Sequence, residues 1–148
     1  MRSSLLALRS HRFIRSEIWA GGMHLSPVFG ETLKMIEADG LTVSRRLPFL
    51  GDSPDVVAES SRALATVGAA LAEAKPDALM LLGDRTETLA AAVAAAIAGV
   101  PLVHLHGGEE TEGAVDNACR HALTKLAHLH LVSHEVHARR VAQMGESA

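Results

Sequence analysis

The chain has 148 residues, which is the size of a single domain with one hydrophobic core. Apolar residues make up 48% of it and the formal net charge is −3, so the composition excludes a disordered chain and gives no general attraction to nucleic acid. A single cysteine, Cys119, excludes an internal disulfide and a Cys-x-x-Cys motif.

The apolar segments are too short to predict a membrane span. The run at residues 5–8 is interrupted at once by Arg9, and the alanine-rich run at 89–103 is broken by a glycine and a proline. The basic residues of segment 2–15 alternate with apolar ones, which favours a solvated helix face over a nucleic-acid-binding arm. We therefore predict a cytoplasmic protein with neither a nucleic acid nor a membrane as partner.

Short strand-like runs alternate with longer helical runs, the pattern of a parallel α/β fold. In chain order the prediction is helix 1–10, strand 16–20, helix 27–38, strand 41–47, helix 54–74, a buried strand 77–82, an alanine-rich helix ended by Gly99, strand 102–105, helix 114–127, strand 130–133 and a last helix to Met144. Serine–proline pairs at 26–27 and 53–54 mark two helix starts. Asp84 and Glu87 form a D-x-x-E capping box before the alanine-rich helix.

The first element is unusual, because a doubly wound domain ordinarily begins with a strand and a phosphate-binding turn, not a helix. The five predicted strands correspond to strands two to six of a sheet with the order 3-2-1-4-5-6, so the central strand is not among them. We expect a Rossmann-like doubly wound parallel sheet that lacks its first, central strand. Residues 1–148 would then form one partial domain, from a fragment or from a gene whose start is assigned too late.

Polar residues and glycines follow several predicted strands, at the edge where α/β sheets bind ligands. They are Gly22-Met23-His24, Gly83-Asp84-Arg85 and His106-Gly107-Gly108-Glu109, and the helix carrying Asp116, Arg120 and His121 starts from the same edge. Acids and histidines delivered to one edge by separate strands predict an active site.

Each of these residues also has a purely structural interpretation. Asp84 can be only an N-cap, and Gly107-Gly108 can be only a turn. Asp116 and Arg120 are four residues apart and can form an ordinary helix ion pair. Cys119 beside them is typical of a small buried apolar residue.

Two histidine pairs raise the alternative of a metal site. His104 and His106 are two residues apart, as are His128 and His130, so each pair would share one face of a strand. The sequence has neither an HExxH motif nor a His/Cys spacing typical of zinc. We therefore predict no metal.

Three segments together resemble the UDP-N-acetylglucosamine 2-epimerase family. They are GMHLSPVFGETLKMIEADG (22–40), LLGDRTETLAAAVAAAIAGVPLVHLHGGEETEGAVD (81–116) and RHALTKLAHLHLVSHEVHARRVAQMGE (120–146). The similarity extends without a gap over 5–146, and the combination HGGE-x-TEGA-x-D-x-x-x-RH-x-x-TK-x-x-HLH is highly specific. The GMHLSP and HGGE forms resemble the hydrolysing branch of sialic-acid-type pathways.

The resemblance implies the N-terminal half of a two-domain GT-B-type fold, with the UDP-sugar between the halves. It implies an enzyme that eliminates UDP from UDP-N-acetylglucosamine and hydrates the glycal to N-acetylmannosamine, without a cofactor. This chemistry needs a base, an acid and charge stabilisation for the departing UDP. By matching positions, the resemblance assigns Asp84, Glu109 and Asp116 to catalysis. It assigns substrate binding to His24, Arg85, Gly107, Gly108, Thr111, Glu112, Arg120 and His121.

The chain departs from the family pattern in three places. The opening strand with its Gly-Thr-Arg-like loop and the entire C-terminal domain are missing, and Asn117 follows Asp116 where relatives often carry a second acid. The expected partners are a UDP-sugar substrate and the missing C-terminal domain, and a homo-oligomer is allowed. Two alternatives stay open: a non-catalytic truncated domain that serves binding or assembly, and an enzyme for a UDP-diacetamido sugar or of the non-hydrolysing type.

Overall fold

The computed structural model describes residues 2–30, 32–51, 55–111 and 115–147. The chain divides into two compact units, Met1–Pro54 and Asp55–Ala148. Parallel strands and helices make up each unit, which confirms the α/β class. Within the described ranges, no helix combines the length and the apolar character that a bilayer crossing requires.

The first unit is built on a two-stranded parallel sheet. Its elements are α1 (Arg2–Ser10), β1 (Ile18–Gly21), two 3₁₀ turns (Gly22–Leu25 and Pro27–Phe29), α2 (Leu33–Ala38) and β2 (Val43–Leu47). Gly22 follows β1 with a φ of 57°, and a Cβ there would lie 2.8 Å from the Phe49 ring. Glycine is therefore needed both for the left-handed backbone and for the close approach of the ring.

The predicted helix over 27–38 is wrong in its first half. Pro27 opens a 3₁₀ turn that ends at Gly30, whose φ of 82° is left-handed, and α2 begins only at Leu33. The Ser26 side chain makes no capping hydrogen bond. Gly30, four residues after Ser26, adopts a non-helical backbone at little cost. The serine–proline helix-start signal therefore produces only a short turn.

The second unit is built on a three-stranded parallel sheet with the strand order β3-β4-β5. Its elements are α3 (Val56–Ala74), β3 (Leu79–Leu82), α4 (Thr86–Ile97), β4 (Leu102–Leu105), α5 (Asp116–Leu126), β5 (Leu129–Leu131) and α6 (Glu135–Gln143). Because the strands are parallel, their carboxyl ends lie at one edge. Helix α3 packs against α4, and both helices contain fully buried alanines, among them Ala63, Ala92 and Ala95. Cys119 is buried as predicted.

The described strands pair as two separate parallel sheets, one in each unit. Most helix ends match the prediction. The serine–proline start at 53–54 lies outside the described residues, and Asp55 caps α3 by accepting from the Ala58 N–H at 3.0 Å. Helix α3 ends at its predicted residue and is followed by Lys75 with a left-handed φ of 47°, and Gly99, predicted to end α4, has a left-handed φ of 69°.

The prediction that strand 77–82 is buried is wrong, because Leu79 and Leu81 on one face of β3 are only half-buried and the other face is exposed. Met80 is 38% exposed and Leu82 is 43% exposed. Across β4, the strand register places Leu129 and Leu131 on the same face, and both are also exposed. A short, continuously apolar run indicates a strand, but it does not reveal whether both faces are covered.

Candidate active site

The Arg120 guanidinium is the centre of a polar cluster at the carboxyl-end edge of the three-stranded sheet. Its side chain is only 6% exposed. Its Nη2 binds the Asp84 carboxylate and donates to Thr111 Oγ1 at 3.1 Å. Its Nη1 donates to the His106 carbonyl oxygen at 2.8 Å and lies 3.4 Å from Glu109 Oε2. One planar cation thus holds two carboxylates that follow neighbouring strands.

The predicted capping box at Asp84 and Glu87 is wrong. The N-cap of α4 is Arg85, which makes no side-chain cap. Asp84 instead receives the Thr111 hydroxyl at 3.3 Å as well as Arg120. The Glu87 carboxylate lies 2.6 Å from Arg85 Nε, so Glu87 forms an ion pair with Arg85. A buried guanidinium binds a carboxylate more strongly than backbone N–H groups at a helix start do.

The Glu109 carboxylate accepts hydrogen bonds on both of its oxygens. Oε1 accepts from Ser133 Oγ at 2.6 Å and from His106 Nδ1 at 2.7 Å, while Oε2 faces Arg120. The Ser133 hydrogen bond is the main influence that lowers the pKa of Glu109; burial acts against it, and His106 and Arg120 reinforce it. Glu109 is therefore ionised at neutral pH.

His104 lies next to the Arg120 cluster and is completely buried. Its Nε2 lies 2.8 Å from the Gly83 carbonyl oxygen, and because a carbonyl only accepts, Nε2 carries the proton. Burial is the main cause that lowers the pKa of His104, partly offset by the bond to Gly83. His104 is thus neutral, and its hydrogen bond to Gly83 holds the backbone immediately before Asp84 in place.

Close steric contacts explain the two glycines of the loop after β4. His106 and Gly108 have left-handed φ angles of 65° and 75°. A Cβ on Gly107 would lie 3.1 Å from His104 Nδ1, and a Cβ on Gly108 would lie 2.3 Å from the His137 carbonyl oxygen. The role of the two glycines is therefore not limited to forming a turn, because other elements pack directly against them.

Helix α6 holds the same loop from the other side. His137 Nδ1 donates to the Gly108 carbonyl oxygen at 3.1 Å, and Arg140 Nη1 donates to it as well. Arg140 Nη2 also lies 3.0 Å from Glu110 Oε2. The sequence prediction did not include Ser133, His137 or Arg140. The same strand-end rule, applied to the predicted strand at 130–133, would have pointed to this segment.

Two other predicted residues lie on α5. Asp116 occupies its first turn, where a negative charge is favourable. The helix ion pair considered for Asp116 and Arg120 is wrong, because Arg120 turns to Asp84 and Glu109. His121 is half-buried, and its Nε2 has no hydrogen-bond partner within the described part of the chain.

The remaining predicted residues are not part of the Arg120 cluster as described. His24 belongs to the first unit, where its Nδ1 lies 2.7 Å from Thr32 Oγ1 beside a cavity of about 410 Å³. Arg85 is paired with Glu87. Glu112 lies outside the described residues.

The prediction that each histidine pair shares a strand face is wrong. His106 lies beyond the end of β4 and has a left-handed backbone, so it does not continue the alternation that begins at His104. His128 precedes β5, and its Nδ1 accepts from the Leu102 N–H at 3.3 Å. Among the described residues, no three His, Cys, Asp or Glu side chains are grouped so as to hold a metal ion.

Residues 6–148 match the sequence profile of the family described as UDP-N-acetylglucosamine 2-epimerase. The chain is 38% identical over 149 residues to the GDP/UDP-N,N'-diacetylbacillosamine 2-epimerase (hydrolyzing) of Campylobacter jejuni. It is 38% identical over 154 residues to the UDP-N,N'-diacetylbacillosamine 2-epimerase (hydrolyzing) of Legionella pneumophila. Each alignment covers 99% of this chain but only 38% and 39%, respectively, of the relative.

A solved structure shows the same fold. The UDP-GlcNAc 2-epimerase of Neisseria meningitidis, bound to UDP-GlcNAc, superposes with a TM-score of 0.89 at 20% identity, over 99% of this chain and 40% of that one. The fold is accordingly Rossmann-like and corresponds to the N-terminal half of a GT-B-type fold. The chain belongs to the UDP-N-acetylglucosamine 2-epimerase family.

Proposed function

We propose that this chain is part of a hydrolysing 2-epimerase that acts on a UDP-linked 2-acetamido sugar. The observation that carries the proposal is the binding of Asp84 and Glu109 to one buried guanidinium, Arg120, at the ligand-binding edge of a parallel sheet. Carboxylates at such an edge are suited to moving protons, and a cationic group stabilises charge on a departing diphosphate.

The proposed reaction has two steps. In the first, a carboxylate takes the C2 proton, the C2–H electron pair forms the C1=C2 double bond, and the C1–O bond breaks so that UDP leaves with its electron pair. In the second, water adds its hydroxyl to C1 and gives its remaining proton to a base, while an acid returns a proton to C2 from the opposite face. We propose Asp84, Glu109 and Asp116 for these proton transfers. Substrate binding is proposed for His24, Arg85, Gly107, Gly108, Thr111, Glu112, Arg120 and His121.

For the substrate, we propose a UDP-diacetamido sugar first and UDP-N-acetylglucosamine second. The supporting observation for the first is that both relatives at 38% identity are named for diacetylbacillosamine and as hydrolysing. The supporting observation for the second is the description of the family itself. Both sugars carry the 2-acetamido group and the C2 hydrogen that the proposed chemistry needs.

We further propose that residues 1–148 act as a partial N-terminal domain and that a C-terminal domain completes the UDP-sugar site. The chain spans less than two fifths of the length of the curated relatives it matches. The exposed apolar face of its three-stranded sheet, with Leu82 and Leu131, is also typical of a surface that another segment covers. We propose a cytoplasmic location, for which the single buried cysteine is the supporting observation.

The test uses a two-domain protein that contains this chain, incubated with each UDP-sugar, with free UDP and sugar products separated by chromatography. UDP together with a free C2-epimerised sugar would support the proposal. A stable UDP-linked epimer would instead identify a non-hydrolysing enzyme. No turnover of either sugar by a folded protein would favour the non-catalytic alternative. The matched control is Arg139→Ala, which alters only an exposed ion pair on α6.

A further inference from the structure

The Glu109 side chain is fixed by a residue from a different segment of the chain. The Ser133 hydroxyl, 24 residues later, donates to Oε1 at 2.6 Å, and His106 Nδ1 donates to the same oxygen at 2.7 Å. With Arg120 facing Oε2, the contacts of Glu109 within the described ranges are one hydroxyl donor, one imidazole nitrogen that can donate, and one cation. Such surroundings match a carboxylate, which only accepts, and they disfavour a protonated carboxyl group.

The position of Ser133 is set by backbone contacts on both sides. Before it, the Leu131 carbonyl oxygen accepts from the His106 N–H at 2.9 Å, which joins the end of β5 to the loop after β4. After it, the His134 side chain caps α6 by accepting from the Val136 N–H. The turn that carries Ser133 is therefore held between a strand end and a helix start, so its hydroxyl can define the Glu109 rotamer.

We propose that Ser133 is a positioning residue that holds Glu109 ionised and in one rotamer, so that Glu109 enters the reaction as a proton acceptor. The role rests on the function proposed above, but the clamp on Glu109 is a property of the chain itself. Ser133 acts through Glu109 and needs no contact with the substrate. Among the residues that the structure describes, the other charged and titratable groups that face Glu109 are His106, from the same loop, and Arg120, from α5.

The first test does not depend on turnover. The Glu109 carboxyl carbon is titrated by NMR in the full chain, with Glu109→Gln identifying its signal. We expect Ser133→Ala to raise the pKa of Glu109 and Ser133→Thr, which keeps the hydroxyl, to restore it. Ser60→Ala is the matched control, because Ser60 donates to the Val56 carbonyl oxygen on α3. An unchanged Glu109 titration in Ser133→Ala, with the fold intact by circular dichroism, would overturn the proposal.

The second test uses the active two-domain protein. Ser133→Ala should lower kcat on the order of tenfold with KM little changed, and tenfold corresponds to about 1.4 kcal/mol, the scale of one charge-assisted hydrogen bond. The acid limb of the kcat/KM profile should move to higher pH. If Ser133→Ala raises the Glu109 pKa but the two-domain protein turns over neither sugar, the effect of Ser133 on Glu109 is supported and the proposed function is refuted. Unchanged kcat and unchanged pH profile would refute the positioning role.

Discussion

Arg120 on α5 binds the carboxylate of Asp84, which lies 36 residues earlier, two residues beyond the end of β3. This contact joins the middle of α5 to the segment after β3 through a side chain that is almost completely buried. The same guanidinium also faces Glu109, so the charges proposed for catalysis contribute to holding the unit together.

We predict that Arg120→Ala lowers the free energy of unfolding by about 3 kcal/mol, because two partly buried carboxylates lose their counter-charge. Urea denaturation of the chain measures this. The matched control is Arg139→Ala, whose partner Glu135 is exposed, with an expected change below about 0.5 kcal/mol. Equal, small changes in both variants would show that Arg120 contributes no more than a surface ion pair.

We predict that Gly108→Ala destabilises the chain more than Gly99→Ala. Both glycines have left-handed φ angles, a conformation that costs an alanine about 1–2 kcal/mol. Only Gly108 is also crowded, since its Cβ would lie 2.3 Å from the His137 carbonyl oxygen, whereas a Cβ on Gly99 meets nothing within 4 Å. The melting temperatures of the two variants provide the comparison, and similar losses would mean that α6 does not pack against the loop.

We predict that His104 makes the chain less stable in mildly acidic solution. Its pKa is lowered in the folded chain, so below about pH 6.5 the unfolded chain binds the extra proton. The contribution of His104 is present above that pH and is lost as the pH falls toward the lower folded pKa, by at most about 1.4 kcal/mol per pH unit.

Urea denaturation between pH 7.5 and pH 5 measures the effect of His104. His104→Gln keeps a donor for the Gly83 carbonyl oxygen but does not titrate, so its stability should vary less over this range. The lowered pKa of Glu109 acts in a separate window, since its contribution is lost only below about pH 4.3. Parallel pH profiles for the wild type and His104→Gln would contradict this assignment.

In the two-domain protein we predict that Glu109→Gln and Asp116→Asn each lower kcat by roughly 10²–10⁴, the usual contribution of a general acid or base. Neither substitution changes the size of the side chain, so circular dichroism should show an unchanged fold. Steady-state kinetics provide the measurement. A loss of kcat smaller than about threefold would show that the substituted residue has only a structural role.

The sequence predicts most of the fold because the local signals are strong. Strand 102–105 has its predicted bounds, and the helix-ending glycine at 99 has the expected left-handed backbone. The failures come from effects that spacing along the chain does not show. Gly30 interrupts the helix predicted from Pro27, and the exposure of Met80 depends on which elements cover the sheet.

The site was predictable only as a set of strand ends. Asp84 and Glu109 follow neighbouring strands, and the strand-end rule identifies both. Their partners were not predictable, because Arg120 is equally well placed for Asp116 in sequence, four residues away, and only the tertiary fold turns it toward Asp84. For Ser133 the strand-end rule could have indicated the segment after the predicted strand at 130–133, but nothing local links Ser133 to a glutamate 24 residues earlier.

In the proposed reaction a proton leaves C2 and UDP departs before water adds. The most direct measurement is to run the reaction of the two-domain protein in D₂O and to follow C2 and the anomeric carbon by NMR. We expect UDP and a free C2-epimerised sugar that carries deuterium at C2. A free sugar with its original C2 hydrogen, or a product still linked to UDP, would contradict the proposed reaction.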